Sequence, residues 1–173
     1  AVTSIFTAEF GRWMVQASAY GDEDRLPLRS PVPAGAAAVV SWILWAPALL
    51  GGPLALGTAN WIAGIPLTFL AVAATAFIGP RWHTMSRRWL VLVPAGLVVH
   101  DPVVLADTLM VKTDQILSLG LARSETEAAD LTGPASGYAV QVDTSQTVST
   151  VFAFTPQEPN GRAIHMTGFL IAP

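Results

Sequence analysis

The chain has 173 residues, of which 52% are hydrophobic and only 12% charged, and its 9 basic and 12 acidic side chains leave a net charge of −3. Soluble domains carry about 25% charged residues, and an acidic balance argues against nucleic acid, which demands a basic face. With no cysteine there is no disulfide, thiolate nucleophile, iron–sulfur cluster or cysteine-based zinc site.

In chain order, Phe6, Phe10, Trp13, Met14 and Ala17 fall on one face at helical spacing, and Gly21 is a stop. This predicts an N-terminal amphipathic helix within residues 1–20. Its aromatic face either lies on the inner leaflet or packs on protein, the C-terminal domain or a partner. Phe6, Phe10 and Trp13 are therefore candidate partner-binding residues. The segment from Asp22 to Ser30, followed by Pro31 and Pro33, reads as an extended linker. No basic start followed by an apolar core is present, so no signal peptide is expected.

From Pro31 to Pro80 there is no Asp, Glu, Lys, Arg or His. A bilayer core of roughly 30 Å needs about 20 apolar residues per helix, so this run makes two spans and a turn. Helix breakers cluster from Gly51 to Asn60, which puts the spans at about 32–52 and 59–78. Pro47 and Pro66 fall inside them, as transmembrane helices tolerate. Arg25 and Arg29 precede the first span, and Arg81, Arg87 and Arg88 follow the second, whereas the turn is uncharged. Positive flanks stay inside, so both termini are expected in the cytoplasm of a bacterial cell, with the hairpin in its inner membrane. Trp61 suits the outer interface, and Trp82 and Trp89 the inner one.

Trp42 and Trp45 lie three apart near mid-span, on one helical face. They face lipid or the second helix, or they pack into another membrane subunit; because Trp prefers the interface to mid-bilayer lipid, both are candidate partner-binding residues. Ala34, Ala38, Gly64, Thr68, Ala71 and Thr75 give the helices room for close approach. Arg81, Arg87 and Arg88 either hold anionic lipid headgroups or act simply as the positive-inside anchor.

Beyond Arg81 the period changes to that of strands. Trp89–Val93, a Pro94-Ala-Gly96 turn and Leu97–His100 read as a hairpin. Further strands are expected at 108–112, 116–122, 137–142 and 147–154, with a turn at Asp143–Gln146. Ser124-Glu-Thr-Glu127 is a capping-box pattern for a short helix ending near Thr132-Gly-Pro134. Residues 155–161 read as loop, and 162–171 as strand or helix. The chain thus divides into an amphipathic helix and linker (1–30), a transmembrane hairpin (31–80) and a small β-rich cytoplasmic domain (81–173).

Residues 31–80 hold no ionisable group for an ion pathway and no His or Met for a haem. His100 and Asp101, with Asp107 and Asp114, match no zinc or calcium spacing; a surface hairpin end accounts for them. Gly-x-Ser-x-Gly, Gly-x-x-x-x-Gly-Lys and Gly-x-Gly-x-x-Gly are absent. No catalytic residue, metal, cofactor or small-molecule substrate is expected.

Two spans, a basic-aromatic junction and the strand pair Arg88-Trp-Leu-Val-Leu-Val-Pro-Ala-Gly-Leu-Val-Val99 resemble bacterial membrane proteins with a PH-like domain. That resemblance implies a binding or assembly module. In size, topology and an Arg- and Ala-rich composition the chain also resembles the small accessory subunits of actinobacterial respiratory (cytochrome bcc–aa3) supercomplexes. The expected role is a non-enzymatic accessory subunit contacting lipid and other integral membrane subunits. The alternative is a free-standing, membrane-anchored module that binds lipid or peptide.

Overall fold

The computed structural model describes residues 8–123, 125–153 and 161–173. The chain folds as two compact units. One is Val32–Ser86. The other is formed by the chain on either side of it.

Val32–Ser86 is a pair of helices, α2 (Val32–Gly57) and α3 (Trp61–Ser86), each of 26 residues. Both are long and apolar enough to cross a membrane, at about 39 Å by helical rise. They run further than the 32–52 and 59–78 spans expected from the breakers. Gly51, Gly52 and Pro53 stay inside α2, and α3 continues through Pro80 into the basic segment. The turn falls instead at Thr58–Asn60. Ala59 takes a positive φ of 58° there, and the Asn60 side chain accepts from the Ala63 N–H at 3.3 Å, capping α3.

Two glycines set how closely the helices approach. A Cβ on Gly52 would lie 2.7 Å from the Thr68 nitrogen, and one on Gly64 would lie 2.8 Å from the Leu56 nitrogen. Ala48 and Ala71 are buried in the same seam. Close approach of backbones through small residues is how helices associate where burial from water gives no drive.

The other unit opens with α1 (Ala8–Gln16), which packs against the strand β1 (Asp24–Pro27). The strands β2 (Trp89–Val93), β3 (Gly96–His100) and β4 (Leu109–Lys112) complete an antiparallel sheet of order β1-β2-β3-β4. The hairpin at 89–100 forms as the sequence predicts, with Val93 opposite Gly96. Gly96 is required there, since a Cβ would lie 2.9 Å from the Lys112 Cα. The linker reading of 22–30 is corrected: Asp24–Pro27 is an edge strand paired with Leu92–Trp89.

The second sheet contains β5 (Ile116–Leu121), β6 (Ala129–Asp130), β7 (Val140–Phe152) and β8 (Arg162–Ile171), in the order β5-β7-β8-β6. Residues 162–171 are thus strand. The turn expected at Asp143–Gln146 is a bulge within one 13-residue strand. After Asp143, which still pairs with Gly168, the chain leaves the β8 ladder until Val148, and Thr144 Oγ1 donates to Gln146 O at 2.8 Å within the bulge. The capping-box helix does not form: Ala129–Asp130 pairs in parallel with β8, and Ser124 lies outside the described residues, as do 155–160 of the expected loop. The two sheets close on one core of Leu90, Leu97, Val99, Leu109, Val111, Val142, Phe169 and Ile171. The chain is therefore an α+β protein in which a two-helix hairpin is followed by a small β domain, and β1 joins that domain from before the hairpin.

Candidate functional site

The tryptophans of the first span part company. Trp45 turns to its own hairpin, where Nε1 donates to Thr75 Oγ1 at 2.8 Å, and Thr75 Oγ1 donates on to Ala71 O at 2.7 Å. Trp82 answers from α3: its Nε1 donates to Ser41 Oγ at 3.1 Å, and Ser41 donates to Ala38 O at 2.9 Å. The two indoles meet edge to face, with centroids 5.2 Å apart. Each of these two indole N–H groups therefore ends on a hydroxyl that bonds back to its own helix, whereas the buried Thr68 hydroxyl in the seam has no hydrogen-bond partner. Trp42 is half-exposed on the outside of the pair. An apolar groove of about 490 Å³ runs along the hairpin, lined by Val40, Leu44, Trp45, Leu70, Ala74 and Ile78.

The basic junction also divides. Arg81 and Arg87 are exposed. Arg88 is not, and its assignment to lipid headgroups is corrected. Its side chain is 1% exposed and forks onto Asp101 with Nε–Oδ1 at 2.7 Å and Nη2–Oδ2 at 2.6 Å. Nη1 donates to Arg29 O at 2.7 Å. Planar bidentate pairing of this kind suits guanidinium and carboxylate. Asp101 Oδ1 also accepts from the Val103 N–H at 3.1 Å, so this carboxylate is not available to a metal. Among the described residues no three His, Asp or Glu side chains converge as a metal-binding group.

Arg29 is the matching clamp on the other flank. Its backbone N–H donates to Ala172 O at 2.7 Å, and its guanidinium donates to the carbonyls of Ser136, Tyr138 and Pro173. Leu28 N donates to Arg88 O at 3.1 Å, tying the two flanks together. Because β1 and β2 are neighbours in one sheet, both ends of the hairpin leave from adjacent points. Both flanks therefore lie on one side of any membrane it crosses.

Trp89 lies in the outer face of the first sheet. Its ring stacks on His100 at 5.3 Å, and Arg25 sits 5.4 Å above it. Burial holds the His100 pKa below the usual imidazole range; Arg87 adds to this and Asp101 opposes it. In α1, Trp13 and Met14 are exposed, while Gln16 ties the helix to Glu23 O and the Arg25 N–H at 2.9 and 2.7 Å. Phe10 lies on the same helix, and Phe6 lies outside the described residues.

One feature escaped the sequence reading. An open polar cleft of about 630 Å³ is lined by Glu127, Gln141, Asp143, Thr147, His165 and Thr167. Hydrogen bonds from Gln141 and Ser118 hold the Asp143 carboxyl below the usual range. His165 Nδ1 lies 2.6 Å from Ser149 Oγ. Ser149 is mid-strand, not on the sharp strand-to-helix turn that presents a hydrolase serine. A search among protein families, curated proteins and solved structures finds no match to this chain.

Proposed function

We propose that this protein is a non-enzymatic accessory subunit of a larger complex in a bacterial inner membrane, with both termini in the cytoplasm. The observation that carries this reading is the hairpin's surface. Its own packing is satisfied through Gly52, Gly64 and the Trp45–Trp82 pair, yet Trp42 and the apolar groove beside Trp45 remain on the outside. Trp prefers the membrane interface to mid-bilayer lipid, and large aromatics anchor interfaces. A transmembrane helix of another subunit is the proposed occupant of that face. The specific assembly suggested by the chain's resemblance is an actinobacterial respiratory supercomplex, with the β domain, PH-like by resemblance, as its cytoplasmic part.

Co-purification after mild detergent extraction from the native membrane tests the reading. The chain is expected to travel with larger partners, and Trp42→Leu to weaken that association without disturbing insertion. A chain that runs alone would overturn it. A second reading, a membrane-anchored module for a lipid or peptide, is favoured by the polar cleft at Asp143 and His165. Retained peptide or lipid on the isolated chain would select it.

Orientation has its own test. A cysteine at Thr58 is expected to react with an impermeant thiol reagent outside the cell, and one at Asp107 to be protected. The chain has no native cysteine to confuse the result.

A further inference from the structure

We infer that the β domain rests on the lipid surface through the outer edge of β5 and Tyr138. Leu117, Leu119, Leu121 and Tyr138 are each exposed by 60% or more. Ile116–Ala122 carries no charge, although a water-facing edge strand is ordinarily blunted by charge or proline.

The registers show how this ridge arises. Leu119 is opposite Val142, which is opposite Phe169; Leu121 is opposite Val140, which is opposite Ile171. Phe169 and Ile171 are buried in the core. The core face of the sheet therefore continues outward to β5, and among the described residues its last column stays exposed.

The hydrogen bonds indicate what does. Ala122 N donates to Ala139 O at 2.9 Å, beside Tyr138. The Tyr138 carbonyl accepts from Arg29, and Pro31 bridges to Ala135. Arg29 is three residues before Val32, where α2 begins. Three extended residues reach at most about 10 Å, and neighbouring strands lie about 5 Å apart. The leucine ridge thus ends beside the strand connection held by Arg29, three residues before α2 begins in the chain. Tyr favours the headgroup level, and the exposed Arg123 beyond Leu121 can extend its head to phosphates while its stem stays apolar. An apolar, uncharged ridge flanked by Tyr and Arg at that place fits the boundary between headgroups and acyl chains.

This inference rests on the hairpin's insertion in a membrane. The full chain is reconstituted in phosphatidylethanolamine–phosphatidylglycerol vesicles with single spin labels at Leu119→Cys, Tyr138→Cys and, as the insertion reference, Val72→Cys on the exposed side of α3. Collision with oxygen and with a water-soluble nickel chelate is then compared. The expected result is oxygen access with loss of nickel access at Leu119→Cys, as at Val72→Cys, and an intermediate value at Tyr138→Cys. Nickel access at both domain positions with a lipid-exposed Val72→Cys would overturn the docking alone. Nickel access at Val72→Cys would overturn the membrane reading and the docking with it. Spin–spin broadening at Leu119→Cys would show that a second copy covers the ridge, and would also overturn the inference.

Discussion

The hairpin and the β domain deal with buried polar groups in opposite ways. In the hairpin the contacts are small, Gly52 and Gly64 against backbone and Ala48 and Ala71 in the seam. The Trp45 and Trp82 indole donors end on Thr75 and Ser41, and no charge takes part in either bond. In the β domain the contacts are large side chains around Phe169, with the enclosed Arg88–Asp101 ion pair beside them. The difference follows from solvent. Between helices in lipid there is no water to escape, so close packing and shared hydrogen bonds supply the attraction. In water the apolar core supplies it, and the enclosed pair fixes Arg88 against Asp101 and the Arg29 carbonyl within the β domain.

The largest effect expected from breaking this contrast is at Asp101. Asp101→Ala leaves the Arg88 guanidinium buried without a counter-charge, which costs about 3–5 kcal/mol. Thermal unfolding of the β-sheet signal in detergent is expected to fall sharply, while Arg88→Met with Asp101→Leu recovers most of the loss. A loss no greater than that of the exposed Asp107→Ala would refute the role given to the pair. Next in size is the helix seam. Gly52→Leu forces a side chain against the Thr68 backbone and is expected to cost about 1–3 kcal/mol, as overpacking does. Gly57→Leu and Gly79→Leu meet nothing within 4 Å and should cost far less in the same detergent titration of helical circular dichroism. Smaller again is the Trp45–Thr75 bond. A double-mutant cycle with Trp45→Phe and Thr75→Val is expected to give a coupling of about 0.6 kcal/mol, the average for hydrogen bonds between membrane helices.

The same contrast explains what was legible in the sequence. A charge-free run and the two β-rich runs of Trp89–His100 each report a single local rule: the strand pair forms where expected, and the run gives two helices that extend beyond the expected span ends. Arg88 is different. As a string, Arg87-Arg88 after a span reads as a positive anchor. Only the fold brings Asp101, thirteen residues on, into its reach, and nothing in the spacing separates Arg88 from its exposed neighbour. Asp24 and Arg25 hid β1 in the same way, because an edge strand tolerates charged side chains on its open face. Asp143–Gln146 has turn chemistry, yet its neighbours pair on both sides, so the polar residues bulge and the strand continues. The Trp45 and Trp82 indoles could not be matched from sequence because forty-one residues separate Trp82 from its acceptor Ser41.

The smallest effect lies at the junction's edge, on His100. Its ring stacks on Trp89, and its Nδ1 lies 3.0 Å from Thr108 Oγ1. Burial, with Arg87 in support and Asp101 in opposition, lowers its pKa from 6.5. Between the lowered folded value and the unfolded 6.5, the unfolded chain binds a proton that the folded chain refuses. Stability therefore rises with pH across that window. It is fully present above the unfolded value and is lost as pH falls toward the folded one. His100→Phe keeps a stacking ring and removes the titration; losing the Thr108 contact shifts stability by an amount independent of pH. The fall in Tm from pH 7.5 to pH 5.5 is expected to be smaller for His100→Phe than for the parent chain. Arg87→Gln should reduce that fall only partly, because burial is the larger cause and remains in place. Equal slopes for the parent and His100→Phe would mean that another group sets the dependence. A larger rescue by Arg87→Gln than by His100→Phe would mean that Arg87 acts on some group other than this imidazole.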